Sequence, residues 1–135
     1  TFLLRVGKTE EAVEITKREN GVIALETTDH QYQNLDDAQF IVASMSQNAD
    51  MKSSEKLAAI IQEKMANRLT QSKDRGVKQA GFHVLVGASM PNVLIEVGFL
   101  TNKNEANRLG KATYRREIAK AIYEAIVEFK TQNEA

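Results

Sequence analysis

Glu96 is the side chain best placed for chemistry, because it is the one charged residue in the apolar run NVLIEVGF at 92–99. Such a run is typical of a buried strand in an α/β sheet, and ligands of these sheets bind at the carboxyl ends of strands. A carboxylate there is costly to bury unless a proton, a cation or a metal lies beside it. Two interpretations stay open: a structural ion pair, or an acid/base catalyst whose pKa is adjusted by burial and a nearby cation.

Other candidate metal ligands and nucleophiles are few. The two histidines, His30 and His83, belong to no motif with metal-ligand spacing, and we interpret each as a surface or internally satisfied histidine. The absence of cysteine excludes thiolate metal sites and thiol nucleophiles. Eighteen basic residues balance eighteen acidic ones, so nucleic acid is not an expected partner. No apolar run approaches the roughly 20 residues that a membrane span needs.

The hydrophobic pattern predicts strands and helices in alternation within one domain, 1–135. Alternation and apolar runs predict strands at 1–6, 82–86 and 92–99. Helical spacing predicts a helix from Thr9 towards Asn20, one long or two consecutive helices from Ala38 to Met65, a short helix ending at Gly110, and a last helix. The apolar stripe of that last helix is Ile118, Ala121, Ile122, Ala125 and Phe129. We therefore predict an α/β fold, part of a twisted mixed sheet of about three strands flanked by helices.

Two segments carry a family resemblance: RGVKQAGFHVL at 75–85 and MPNVLIEVGFLTNKNEANRL at 90–109. In order and spacing they resemble the carboxyl-terminal half of zinc-dependent N-acetylmuramoyl-L-alanine amidases. The resemblance implies a hydrolase that cleaves the amide between the lactyl group of muramic acid and L-alanine in peptidoglycan. It assigns Glu96 as the catalytic carboxylate beside the zinc and Arg75 and Asn102 as supports of the substrate site. Asn102 also suits a helix cap.

The resemblance also implies where the zinc ligands lie. In the family, two histidines and a glutamate precede the strand that matches TFLLRV, so neither His30 nor His83 is assigned to the metal. We expect this chain to be the carboxyl-terminal part of a catalytic domain, without bound zinc and inactive alone. If the rest of the domain is absent, the edges of the sheet are exposed and could pair with a second copy of the chain.

Residues of about 19–49 resemble the regulatory insert of cell-division amidases, in which a helix covers the zinc cleft until an activator protein displaces it. Glu19 and Glu26 are the candidates for a blocking contact with the zinc, and a solvated helix face is their alternative reading. The resemblance implies a periplasmic or cell-envelope location, with a signal peptide that is not in this chain. The competing function is a non-catalytic α/β module that binds a protein partner, with Glu96 merely paired to a cation.

Overall fold

The computed structural model describes residues 1–4, 14, 17–18, 20–21, 48–85, 88 and 90–133. Within them the elements are β1 (Phe2–Leu4), α1 (Asn48–Arg68), β2 (Lys78–Ala80), a 3₁₀ turn (His83–Leu85), α2 (Lys103–Leu109) and α3 (Ala112–Asn133). The described residues between 14 and 20 are helical, as predicted for the segment after Thr9. None of the helices in the described ranges is both long and apolar enough to cross a membrane.

β1 lies between β2 and the segment that carries Leu94. It pairs in parallel with β2, with Phe2 opposite Lys78 and Leu4 opposite Ala80. On its other side, Phe2 and Leu94 form an antiparallel bridge in which each backbone N–H donates to the other's carbonyl, at 2.7 and 3.0 Å. The segment that carries Glu96 is thereby attached directly to β1.

Two of the predicted strands differ from the structure. The run at 92–99 forms only the bridge at Leu94, so the described sheet has two strands rather than three. The strand predicted at 82–86 is wrong, because His83–Leu85 is a 3₁₀ turn in which the Leu85 N–H donates to the Phe82 carbonyl at 3.1 Å. Phe82 and Leu85 are both buried while Val84 is 61% exposed, and a spacing of three residues between buried side chains suits a 3₁₀ turn.

One small hydrophobic core lies beside the sheet. Phe2, Ala80, Phe82 and Leu85 are buried together, and Leu94 packs against them. The rings of Phe2 and Phe82 meet edge to face, with centroids 5.1 Å apart and planes at 85°. This aromatic geometry is favourable beyond the area that it buries, and it fixes the turn after β2 against β1.

A second core lies between α1 and α3. Ile60, Ile61 and Ala125 are buried there, and the partly buried side chains around them are Leu57, Met65, Val93, Ile95 and Phe129. The stripes predicted for both helices are confirmed over the described residues. α1 runs unbroken through the polar stretch at 52–54, where the buried Ser54 hydroxyl accepts a hydrogen bond from the Asn92 N–H at 3.0 Å. The helix predicted between Ala38 and Met45 lies outside the described residues.

The alternation of side chains at 93–95 determines where Glu96 lies. Val93 and Ile95 contact the helical core, whereas Leu94 between them packs against the Phe2 core. In extended chain, residues two apart share a face. By this alternation Glu96 falls on the same face of the segment as Leu94.

Candidate functional site

Glu96 lies at the junction of two adjoining cavities. Its side chain is half-buried and lines both of them, together with Thr1, Lys73 and Arg75. The first cavity extends towards α1 and α3, where it is bounded by Met65, Leu69 and Tyr114 among others. A carboxylate shared by two cavities can contact a bound group in either one. Glu96, the candidate identified from the sequence, is therefore accessible to a bound group.

The second cavity is rich in positive charge, and we call it the cationic cavity. Its charged lining consists of Glu96 and four basic residues, which are Arg18, Lys73, Arg75 and Lys78. Phe2, Phe99 and two glycines complete its wall with Thr1. The surroundings favour an anionic group beside Glu96.

Arg75 is held in place by two contacts. Its Nη2 atom donates to Glu105 Oε1 at 2.6 Å, and its guanidinium lies 4.7 Å from the centroid of the Phe99 ring. A carboxylate on one side and an aromatic face on the other restrict a side chain that otherwise has many rotamers. Arg75 therefore presents a fixed positive charge to both cavities.

Glu105 lines the first cavity and was not among the candidates that the sequence predicted. It is only 9% exposed, and besides Arg75 it accepts the backbone N–H of Phe99 at 2.9 Å through Oε2. The hydrogen bond from Arg75, and then that from Phe99, hold the pKa of the Glu105 carboxyl below its usual range. The available signal was the N-x-x-E spacing of Asn102 and Glu105, which is typical of a helix start.

Asn102 is the N-terminal cap of α2. Its side-chain oxygen accepts the backbone N–H groups of Asn104 at 3.1 Å and Glu105 at 3.2 Å. A cap of this kind satisfies N–H groups that the first helical turn leaves without partners. Asn102 does not line either cavity in the described part of the chain, so the structure shows it fixing the turn that presents Glu105.

The remaining candidates do not come together in the described residues. Glu19, Glu26 and His30 lie outside them, and of His83 only the backbone, in the 3₁₀ turn, is described. Across the described ranges, no three His, Cys, Asp or Glu side chains are grouped so that they could hold a metal ion. These residues alone therefore do not fit a zinc site, which requires three or four such ligands.

Comparison with known proteins identifies a family. The sequence profile described as N-acetylmuramoyl-L-alanine amidase matches residues 12–128. The chain is 42% identical over 76 residues to N-acetylmuramoyl-L-alanine amidase LytC of Bacillus subtilis, covering 56% of this chain and 15% of that protein. It is 33% identical over 85 residues to N-acetylmuramoyl-L-alanine amidase AmiC of Neisseria meningitidis, covering 63% of this chain and 20% of that one.

A further relative is the uncharacterized protein YqiI of Bacillus subtilis, which is 40% identical over 81 residues, covering 60% of this chain and 39% of YqiI. The match thus spans well under half the length of each of these relatives. No solved structure matches the chain significantly.

Proposed function

Since the chain belongs to the N-acetylmuramoyl-L-alanine amidase family, we propose that it forms part of a peptidoglycan hydrolase in which Glu96 is the general acid/base. The observation that carries the proposal is the position of Glu96, half-buried between two cavities and surrounded by cations in one of them. The bond cleaved is the amide between N-acetylmuramic acid and L-alanine. A cell-envelope location follows from that substrate.

The role of Glu96 is to move one proton. Its carboxylate accepts a proton from the water whose oxygen bonds to the amide carbonyl carbon. When the carbon–nitrogen bond breaks, the same carboxyl group returns the proton to the departing nitrogen of L-alanine. A positioned acid/base of this kind contributes roughly 100- to 10,000-fold to a reaction rate.

Zinc is the cofactor that we propose for the whole protein. In this family it would supply activation of the attacking water. The described residues do not assemble the ligands for it, so those ligands would come from other parts of the protein. We accordingly expect the 135-residue chain to be inactive when isolated, and sheet edges left open in that fragment could pair with a second copy.

Arg75 supports the substrate site in this proposal. Glu105 and Phe99 hold its guanidinium beside both cavities, where it can donate to carbonyl or carboxylate oxygens of a bound peptide. Asn102 contributes indirectly, because it caps the helix that carries Glu105.

Residues of about 19–49 are proposed to regulate access to the site. Two described neighbours support this proposal: Arg18 lines the cationic cavity with Glu96, and the Asn20 side-chain amide donates to the Gly81 carbonyl at 3.0 Å. Glu19 stands between these two residues in the sequence, and Glu19 or Glu26 would make the blocking contact. A protein activator that binds the open state more tightly would relieve the block.

Deleting residues 22–47 from the whole protein tests this regulation. A blocked site predicts higher basal hydrolysis of labelled peptidoglycan by the folded deletion variant. An unchanged or lower rate in a variant with native circular dichroism would contradict the blocking role.

The proposed reaction is tested with Glu96→Gln in the whole protein, assayed by dye release from labelled peptidoglycan. We expect kcat to fall at least about 100-fold, with the melting temperature and the zinc content unchanged. Glu63→Gln, an exposed change on α1, is the matched control and should retain full activity. If Glu96 only formed a structural ion pair, Glu96→Gln would lower stability and preserve activity per folded molecule. A non-catalytic interaction module would show no hydrolysis even in the wild-type protein.

A further inference from the structure

We propose that Glu105 is a positioning residue for the reaction, because it fixes the backbone that follows Glu96 and so keeps the Glu96 carboxylate at the junction of the two cavities. The inference rests on the proposed function, since it assigns to Glu105 an effect on the proton transfer that Glu96 performs. A second carboxylate of the site thereby has a task that involves no contact with the scissile amide.

The backbone around Glu96 is attached on both sides. Two residues before it, Leu94 exchanges backbone hydrogen bonds with β1 at 2.7 and 3.0 Å. Three residues after it, the Phe99 N–H donates to Glu105 Oε2 at 2.9 Å. Residues 95–98, all within the described part of the chain, belong to no strand or helix. Glu105 thus holds the end of this short segment that lies beyond Glu96.

The carboxylate of Glu105 lies close against the same stretch of backbone. A Cβ added at Gly98 would be 3.1 Å from Glu105 Oε2, so the missing side chain of this glycine leaves room for the carboxylate. The Phe99 carbonyl accepts the Asn102 N–H at 3.1 Å, and Asn102 caps the helix that carries Glu105. Both polar groups of the Phe99 backbone are therefore bonded to the start of α2.

The other oxygen of Glu105 orients the carboxylate. Oε1 accepts from Arg75 Nη2 at 2.6 Å, and the Arg75 guanidinium lies 4.7 Å from the centroid of the Phe99 ring. Glu105, Arg75 and Phe99 thus contact one another in a closed set, and a shift of one disturbs the other two. Because a charge-assisted hydrogen bond is stronger than one between neutral groups, the contact with Arg75 keeps Oε2 directed at Phe99.

Glu105 is unsuited to exchange protons with substrate itself, although it lines the first cavity. Each of its oxygens already accepts a hydrogen bond. The bonds from Arg75 and then from Phe99 hold the pKa of Glu105 below its usual range, so the carboxyl stays ionised at neutral pH and has no proton to donate. Glu96 moves the proton, and Glu105 determines where Glu96 lies.

Kinetics of the whole protein test this role, with a soluble muramoyl peptide as substrate and at a temperature at which every variant is folded. Glu105→Ala removes both hydrogen bonds, and we expect kcat to fall at least about 10-fold, because small displacements of a catalytic group are costly. Glu105→Gln keeps an oxygen that can accept the Phe99 N–H, so it should be at least about threefold faster than Glu105→Ala. A merely structural role would leave kcat per folded molecule unchanged.

Glu117→Ala is the matched control. Glu117 also joins two elements through an ion pair, with Arg68 at 2.8 Å, and it is outside the described lining of both cavities. Its loss should leave kcat at the wild-type value. A fall in kcat for Glu105→Ala no larger than that for Glu117→Ala would overturn the inference. So would Glu105→Gln as slow as Glu105→Ala.

Amide hydrogen exchange measures the attachment without turnover. In Glu105→Ala the Phe99 N–H should exchange at least about 10-fold faster than in wild type, relative to the Ile61 N–H of the buried core, which reports global unfolding. Glu117→Ala should leave this ratio unchanged. An equal ratio in wild type and Glu105→Ala would overturn the inference.

Failure of this inference can be separated from failure of the proposed reaction. A wild-type protein that is inactivated by Glu96→Gln but not slowed by Glu105→Ala retains the reaction and loses the positioning role. A wild-type protein that never hydrolyses the substrate, but in which Glu105→Ala speeds exchange at Phe99, retains the attachment and loses the reaction.

Discussion

Arg75 and Glu105 form an ion pair with a nitrogen–oxygen separation of 2.6 Å, although 30 positions separate them in the chain. The second oxygen of Glu105 accepts the Phe99 N–H at 2.9 Å. One carboxylate thus connects the segment before β2, the start of α2 and the segment that follows Glu96. The geometry around Glu96 depends on this connection, even though Glu105 is not proposed to exchange protons with substrate.

Glu105→Gln should lower the free energy of unfolding by about 1–3 kcal/mol at pH 7, because the buried Glu105 side chain loses its charge-assisted hydrogen bond with the more exposed Arg75 guanidinium. The pKa of Glu105 is lowered in the folded protein, first by Arg75 and then by the Phe99 N–H. Its stabilisation is therefore fully present above the unfolded-state pKa of about 4.3 and is lost as the pH falls through the lower folded-state value. Urea titrations of wild type and variant from pH 7 to pH 2.5 measure this difference.

The difference in the free energy of unfolding between wild type and Glu105→Gln should disappear at the acidic end of that series. Glu55→Gln, at an exposed position on α1, is the control, and its free energy of unfolding should match that of the wild type throughout the series. A constant difference between wild type and Glu105→Gln at every pH would mean that ionisation of Glu105 does not contribute to stability.

Gly98, two residues after Glu96, is expected to resist replacement by alanine for two reasons. Its φ is +154°, and an added Cβ would lie 3.1 Å from Glu105 Oε2 and 3.3 Å from Leu109 Cδ1. Gly98→Ala must strain the backbone and also displace the carboxylate that binds Arg75. We expect a loss of about 2–4 kcal/mol in the free energy of unfolding, measured by urea denaturation.

Two other glycines separate these causes. Gly76 has a φ of +68° but nothing within 4 Å of an added Cβ, so Gly76→Ala tests backbone strain alone, worth about 1–2 kcal/mol. Gly21 has open space and no positive φ, and Gly21→Ala should be close to neutral. If Gly98→Ala costs no more than Gly76→Ala, the contact with Glu105 is unimportant.

The sequence predicted both long helices well and the strands poorly, for a physical reason. In a long helix the apolar stripe is repeated over several turns, as in Leu57, Ile61 and Met65, so the helical period is recognised from many residues. The stretch 82–86 offers only a few residues, and Phe82, Val84 and Val86 fit a two-residue period by chance. The buried pair Phe82 and Leu85 instead follows a three-residue period, which becomes visible only once β1 has been placed against them.

The sequence draws attention to a candidate residue that conflicts with its surroundings and gives no sign of one that agrees with them. Glu96 is conspicuous as a carboxylate in an apolar run, and Asn102 has a residue type suited to caps. Glu105 sits in a polar helical segment and looks like any solvated glutamate. Its burial depends on Arg75 and Phe99, and tertiary contacts of this kind leave no local pattern.

The packing of α1 on α3 allows a comparison of core burial with ion pairing between the same two helices. Ile61 is 1% exposed and lies beside Ala125, which is fully buried. Arg68 of α1 pairs with Glu117 at 2.8 Å and with Glu124, all at the periphery of the interface. Ile61→Ala removes three buried carbons and leaves a cavity, which costs about 2–5 kcal/mol.

Arg68→Gln should cost far less than Ile61→Ala, because its partners are exposed and water and salt screen exposed pairs. Urea denaturation of both variants, repeated at low and at 1 M salt, distinguishes the two contributions. The loss in Ile61→Ala should be the same at both salt concentrations, whereas the small loss in Arg68→Gln should shrink at 1 M, because salt weakens ion pairs between exposed side chains. A larger loss for Arg68→Gln than for Ile61→Ala would show that the ion pairs, not the apolar core, hold α1 against α3. The wall of the first cavity, to which α1 contributes Met65 and Leu69, would then be sensitive to salt.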